Sequence, residues 1–398
     1  MKILSIETSC DETGISLIEG IDTHVSILGN ALASQIALHA QYGGVFPALA
    51  KRAHAEQFAP LLSECLSKAS MLTEAPQSID TMAIDTLCAK DTILGTSLTT
   101  FLSTHARPDI DYIAVTTGPG LEPALWVGIT AAKVLSHIWN TPLIPINHME
   151  GHVLVGLLQE IPDSEHTRYS LMSLQFPALA LLVSGGHTEL VLINDYSTYT
   201  KIGQTVDDAV GEAFDKVARI LGIPYPGGPA VSALAAQYRI NNTTNPIELP
   251  RPMIHSGDYN FSYSGLKTAV LYKVRDMTDA GARTLTDDEK MSLAAAFEDA
   301  AIEVLVKKTT RAVKEFHTST LIVGGGVAAN SYLRAQLNSV EVQPLSICFP
   351  QTWLATDNSV MIGIAAYVRA LSGHPETLNI DQLKADGNLS ITDGGYRK

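Results

Sequence analysis

Lys2-Ile-Leu-Ser-Ile-Glu-Thr8, Ser9-Cys-Asp-Glu-Thr13 and Gly14-Ile-Ser-Leu-Ile18 read in order as an apolar strand, a polar turn and a returning apolar strand. The same order recurs at Ala178-Leu-Ala-Leu-Leu-Val183, Ser184-Gly-Gly-His-Thr188 and Glu189-Leu-Val-Leu-Ile193. A third strand is expected after each hairpin, near Val25–Ala33 and Tyr199–Thr205. Strands and helix-period segments then alternate. The first half offers strand Ile113–Thr117, helix Pro123–Trp139, strand Leu143–Ile146 and a histidine-bearing helix. The second half offers helix Val206–Leu221, the long helix Asp287–Phe316, strand Thr320–Val323 and a helix after Val327.

One architectural unit is therefore written twice. The predicted fold is α/β, with duplicated βββαβα units around a cleft. That is the plan of the actin/sugar-kinase/heat-shock-ATPase-like (ASKHA) superfamily; a generic two-domain α/β protein is the plainer alternative. The expected first subdomain is 1–160, joined by a C-terminal helix 356–398, and the second is 161–355. Glu160–Arg168 is polar and turn-rich, which fits a crossover between the halves. The Thr-, Ser- and Asp-rich stretch Ala69–Pro108 reads as an insertion on the first subdomain.

At 398 residues, 46% hydrophobic and 17% charged, the chain has the composition of an ordinary globular protein with a large core. No apolar run approaches the roughly 18 residues of a membrane span. The N-terminus starts at once as a strand and has no signal-peptide pattern. Cys10, Cys65, Cys88 and Cys348 lack CxxC spacing and suit reduced thiols, so a cytoplasmic location is expected. A formal net charge of −14 opposes broad non-specific nucleic-acid binding, and any such contact needs a local basic patch.

Chemistry concentrates in Pro145-Ile-Asn-His148-Met-Glu-Gly-His152. Histidines four apart share a helix face and can share a metal ion, although separate hydrogen bonding is the commoner use of such a pair. Glu150 stands third rather than second, so the His-Glu-x-x-His peptidase pattern is absent. Asp357 opens the last helix. It could be an N-cap, or the carboxylate of a 2-His-1-carboxylate set with His148 and His152. Asp11 and Glu12 in the first hairpin could hold a metal, act as a base, or be solvated turn residues. Ser184-Gly185-Gly186 can cradle an anion with backbone N–H groups, though a tight turn is the commoner use of Gly-Gly. Gly324-Gly-Gly-Val-Ala-Ala-Asn330 closes a strand and opens a helix, an anion- or base-binding arrangement that is neither GxGxxG nor a P-loop. Tyr225-Pro-Gly-Gly228-Pro is a rigid turn. Asp215 could bind a ribose hydroxyl or pair with Arg219.

Together these motifs resemble the universal tRNA threonylcarbamoyl transferase family, TsaD in bacteria, once described as an O-sialoglycoprotein endopeptidase. The resemblance covers nearly the whole chain. It rests on Ile6-Glu-Thr-Ser-Cys-Asp-Glu-Thr13, Tyr42-Gly-Gly-Val-Phe-Pro47 with Arg52-Ala-His54, Thr117-Gly-Pro-Gly-Leu121 and Asn147-His-Met-Glu-Gly-His152. It continues through Leu182-Val-Ser-Gly-Gly-His-Thr188, Gly211-Glu-Ala-Phe-Asp-Lys216, Tyr225-Pro-Gly-Gly228 and Phe261-Ser-Tyr-Ser-Gly-Leu-Lys-Thr268. Gly324–Asn330 and Asp357-Asn358 complete it. It implies transfer of threonylcarbamoyl from threonylcarbamoyl-adenylate to the N6 amine of the adenosine beside the anticodon, in tRNAs reading A-starting codons.

By the same resemblance His148, His152 and Asp357 match metal ligands. Leu182, Val183, Ser184, Gly185, Gly186, Asp215, Gly228 and Asn330 match adenylate-binding positions. One divalent metal per subunit is implied, Fe(2+) first and Zn(2+) second, with Mg(2+) as a companion of nucleotide. The implied partners are tRNA, a TsaB-type paralogue and a TsaE-type ATPase, with no membrane. Asp11 and Glu12 are the candidates for taking the proton from the attacking amine. The chain departs from the family in reading Pro47-Ala-Leu-Ala50 where Pro-Glu-Leu-Ala is usual, and in a longer 69–108 region. Candidate basic contacts for tRNA are Lys51, Arg52, Lys267, Lys273 and Arg275. The rival activities are a metal-dependent glycoprotein endopeptidase and a small-molecule kinase of the same superfold.

Overall fold

The computed structural model describes residues 1–162, 168–242, 244–342, 345–373 and 376–394. The middle of the expected Glu160–Arg168 crossover, 163–167, lies outside the described residues. The chain divides into two compact units. The first is Met1–Ser173, Tyr196–Thr198 and Asp357–Lys398; the second is Leu174–Asp195 and Tyr199–Thr356.

In the first unit β1 (Lys2–Glu7), β2 (Glu12–Ile21) and β3 (His24–Ser34) form an antiparallel meander. After α1 (Ile36–Ala40), α2 (Pro47–Lys68), α3 (Thr81–Leu87) and α4 (Thr92–Thr104), β4 (Tyr112–Gly118) returns parallel to β1. A crossover through α5 (Glu122–Trp139) leads to β5 (Leu143–Asn147), parallel to β4. The chain then enters α6 (His148–Leu154) and adds β6 (Leu158–Glu160) and β7 (Arg168–Leu171), giving the order β5-β4-β1-β2-β3-β7-β6. Because β7 pairs with both β3 and β6, the first sheet continues past Glu160.

The second unit repeats the plan. β8 (Ala178–Val183), β9 (Thr188–Asp195) and β10 (Thr198–Gln204) are followed by α7 (Val210–Ile220), α8 (Gly228–Asn241), α9 (Ser264–Met277) and α10 (Asp287–Glu315). Then come β11 (Thr320–Gly324), α11 (Ser331–Asn338), β12 (Ser346–Cys348) and α12 (Thr352–Ala355). Its order, β10-β9-β8-β11-β12, matches β3-β2-β1-β4-β5 role for role. β8–β11 and β11–β12 are parallel, as β1–β4 and β4–β5 are. The fold is thus a duplicated α/β arrangement of ASKHA type.

Local chemistry explains the elements. β1 and β8 are covered on both faces, so they read as continuous apolar runs rather than alternating ones. α10 starts where Thr286 and Glu289 form a reciprocal capping box. Apolar residues of the 69–108 insertion, among them Ile84, Leu94, Leu98 and Leu102, join the first core. Its helices start at the Asp80 and Asp91 caps. Among the described residues no helix is long and apolar enough to cross a membrane.

Three expectations are corrected. The helix predicted from Val206 begins at Val210, because the Asp207 carboxylate is taken up by the backbone N–H groups of Tyr263 and Ser264, at 2.8 and 3.2 Å. After Val327 the chain makes a single 3₁₀ turn, Gly326–Ala329, and the helix waits for the Asn330 cap. The C-terminal segment 356–398 is not one helix. α13 spans Ser359–Leu371, and Gly373, at φ 78°, ends it. Described residues beyond it return to the first sheet, with Leu378 N–H on Leu143 O at 3.1 Å and Asp386 N–H on Thr117 O at 2.9 Å.

Candidate functional site

In the first unit β5 runs straight into α6, and Asn147 at the junction caps the helix by accepting the Met149 N–H at 2.9 Å. This turn presents His148 and His152 on one face, with their rings edge to face and centroids 4.7 Å apart. Asp357 comes from the other end of the chain. It is not the N-cap of α13. Asn358 fills that place, accepting the Met361 N–H at 3.0 Å, and the Asp357 carboxylate is left to the histidines. Its Oδ1 lies 3.4 Å from His148 Nε2 and 3.1 Å from His152 Nε2. One donor atom from each of the three residues falls within 4.8 Å of the others, so the group could hold a metal ion.

The electrostatics suit a cation. Burial opposes charge on His148, but Asp357 and Glu7 overcome it and hold that imidazole well above its ordinary range. Burial would raise the Asp357 carboxyl, and the two histidines reverse this and hold it well below the carboxylate range. His152 is pushed down by burial and stays neutral, the form a metal ligand needs. Two imidazole nitrogens and a carboxylate oxygen facing one point fit a divalent transition metal.

Beside this group stands the Ser9–Thr13 turn. His54 of α2 fixes it from behind, its Nε2 on Cys10 O at 3.0 Å and its Nδ1 on Thr13 Oγ1 at 2.7 Å. Asp11 is buried, and Glu12 is half-buried and hydrogen-bonded to Asp11. Burial first, then Asp357 and Asp11, push the Glu12 carboxyl up to about 9. In the metal-free arrangement Glu12 keeps its proton at neutral pH.

The other candidates belong to the second unit. Ser184 closes the β8–β9 hairpin by exchanging bonds with His187, N–H to O at 2.8 Å and, in return, N–H to Oγ at 3.1 Å. Gly185 and Gly186 are exposed, and a Cβ on either would meet nothing within 4 Å. Internal packing therefore does not demand glycine there, whereas close approach by a ligand would. Leu182 and Val183 bury their side chains completely, leaving only backbone to offer. Gly325 has a packing reason: it sits at φ 90°, and a Cβ would come within 2.5 Å of Val183 O.

Asp215 on α7 spends Oδ1 on the turn before α8, accepting the Gly227 and Gly228 N–H groups at 2.8 and 3.1 Å. The Asn330 side chain caps α11 through the Leu333 N–H at 2.7 Å and donates to Ser232 Oγ and Glu298 Oε1 at 2.8 and 2.7 Å. Ser184, α7, the Gly227-Gly228 turn, α8 and Asn330 thus form one connected chain of contacts. Of the basic candidates, Lys51 is paired with Asp91, Arg52 with Glu56 and Lys267 with Asp208, while Lys273 and Arg275 on α9 are exposed.

Sequence reasoning passed over several residues that the site uses. Glu7 and Ser9 both reach His148 Nδ1, at 3.2 and 3.1 Å. Glu150 and Arg369 form a buried ion pair that joins α6 to α13. The available signal was a carboxylate ending an otherwise apolar strand, and an arginine within the apolar run of α13.

A duplicated α/β fold with two buried histidines and a half-buried aspartate converging defines an ASKHA-type protein with a candidate metal centre. The family model of TsaD, tRNA N6-adenosine threonylcarbamoyltransferase, matches residues 26–84 and 102–364. The chain is 42% identical over 383 residues to the tRNA N6-adenosine threonylcarbamoyltransferase of Burkholderia ambifaria (strain MC40-6), covering 96% of this chain and 95% of that one. It is 43% identical over 378 residues to that of Ralstonia pickettii (strain 12J), covering 93% and 91%. A solved structure, component A of (R)-2-hydroxyglutaryl-CoA dehydratase from Acidaminococcus fermentans, is 12% identical with a TM-score of 0.46, covering 93% and 99%. The chain belongs to the TsaD family, whose named members are transferases. The stretch between the two matched segments, 85–101, falls inside the 69–108 insertion.

Proposed function

We propose that this chain transfers the threonylcarbamoyl group from threonylcarbamoyl-adenylate to the N6 amine of the adenosine next to the anticodon, in tRNAs reading A-starting codons. Family membership supports the reaction class, and the observation that carries the site is the convergence of His148, His152 and Asp357. These three would hold one divalent metal, Fe(2+) or Zn(2+). When bound, it would supply a Lewis acid against negative charge developing on the carbamoyl group.

The chain's own residues do the rest. The exposed Gly185-Gly186 backbone leaves room for the adenylate phosphate, with Ser184 holding the hairpin shape. Asp215 fixes the Gly227-Gly228 turn, with Gly228 at the start of α8, and keeps Oδ2 for a ribose hydroxyl. Asn330 anchors the start of α11 beside α8 and contributes through the backbone it shapes. Asp11 and Glu12 are placed to receive the proton of the attacking amine, on the condition that Glu12 first loses its own. Neutralisation of Asp357 by a bound cation would take away one of the causes that raise Glu12, leaving burial and Asp11. A TsaB-type paralogue and a TsaE-type ATPase complete the assembly, which works in the cytoplasm where tRNA is modified.

The test mixes the protein, those partners, unmodified tRNA and threonylcarbamoyl-adenylate, and digests the tRNA for mass spectrometry. Threonylcarbamoyladenosine is expected from the parent and not from His148→Ala/His152→Ala. No product from the parent, with partners and added iron or zinc present, overturns the proposal.

A further inference from the structure

We infer that Glu7 is a positioning residue that sets the ring orientation and proton location of His148, so that His148 Nε2 faces the metal. The inference rests on the reading of His148, His152 and Asp357 as ligands. Glu7 is a fully buried carboxylate at the end of an apolar strand, a position that costs stability unless every oxygen is satisfied. Its oxygens are indeed satisfied, each by a different element. Oε1 accepts the Ser9 N–H at 2.6 Å. Oε2 accepts the Thr116 hydroxyl of β4 at 2.5 Å and lies 3.2 Å from His148 Nδ1.

Ser9 Oγ lies 3.1 Å from the same Nδ1, so this nitrogen is held from two sides. In the neutral ring that a ligand needs, Nδ1–H donated to Glu7 leaves the lone pair on Nε2, the nitrogen 3.4 Å from Asp357 Oδ1. A ligating histidine usually gives its other N–H to such an acceptor, which fixes the tautomer. His152 offers a contrast within the same site: its Nδ1 is buried with no hydrogen-bond partner. Of the two rings, His148 is the one held through Nδ1, on the side away from Asp357, whereas His152 is held only through Nε2.

A purely structural carboxylate would tie β1 to β4 and α6 without affecting a ligand. The two roles separate on Glu7→Gln. That variant keeps shape and volume but puts an NH₂ where both oxygens now accept, so either Ser9 N–H or His148 Nδ1–H loses its acceptor. The probe is Co(2+) alone, added to metal-free full-length protein. It is read by its visible ligand-field spectrum and by competition with a chromogenic chelator, with thermal melting of the metal-free form as the folding control. We expect Co(2+) affinity to fall about 10- to 100-fold and the spectrum to change, with the metal-free melt little moved.

A retained affinity and spectrum in Glu7→Gln, alongside loss of Co(2+) by His148→Ala/His152→Ala, overturns the positioning role and leaves the metal reading standing. Unchanged Co(2+) binding by the double variant overturns the metal reading itself. If Glu7→Gln does not fold, Thr116→Val removes one of the bonds that hold Glu7 in place. A several-fold loss of affinity there supports the inference, and no loss overturns it.

Discussion

Glu12 shows at the scale of one residue how a site works against its own fold. Its carboxyl is pushed up to about 9, from an ordinary 4.5, by burial and by Asp357 and Asp11. The unfolded chain releases that proton near 4.5. Between 4.5 and about 9 the folded state therefore binds more protons, and stability falls as pH rises through this window. Glu12→Gln removes the loss. The metal-free variant is expected to melt higher than the parent at pH 8.5, with the difference shrinking toward pH 5, while transfer drops at least tenfold. Equal melting curves at both pH values would remove the basis for this account. His148, His152 and Asp357 were legible as residue types at a suggestive spacing. The partners of His148 were not, because a carboxylate ending a strand and a serine in a turn have many uses.

At the scale of elements the site depends on how α6 meets α13. Glu150 points away from the metal face of α6 and receives Arg369 of α13, whose Nε lies 2.9 Å from Oε1. Arg369 also donates to Pro145 O of β5 at 3.1 Å, so a single guanidinium ties together three elements. Both residues are buried. Arg369→Met would leave the buried Glu150 carboxylate without its guanidinium, at a cost of about 3–5 kcal/mol. Arg369→Met/Glu150→Leu should recover much of it, as urea denaturation of the single and double variants would reveal. Equal stability of the two would mean that burial of the charge is not the source of the cost. Element existence was readable from periodicity, but element ends were less so. Asn358, rather than Asp357, caps α13, and Asp207 leaves α7 for the Tyr263–Ser264 backbone. Such choices are settled by which side chain reaches a backbone donor, which spacing alone does not report.

At the scale of the whole molecule the chain carries a formal charge of −14 and is proposed to handle a polyanion. Three of the candidate cations, Lys51, Arg52 and Lys267, are already paired with carboxylates, whereas Lys273 and Arg275 stand exposed on α9. Lys273→Ala/Arg275→Ala is expected to weaken tRNA binding and to lower the slope of log K against log salt by about two. An unchanged slope in a filter-binding salt series would move the tRNA contact elsewhere. The duplicated βββαβα plan, the apolar strands and the motifs that carry family membership were determined by the sequence itself, because periodicity and glycine placement are local properties of the chain. The convergence of Asp357 on two histidines some 200 residues earlier, the hold of Glu7 on His148 and the return of the C-terminal segment to the first sheet were decided only by tertiary structure. Each of these depends on distances that packing sets, between residues whose separation along the chain carries no record of their contact.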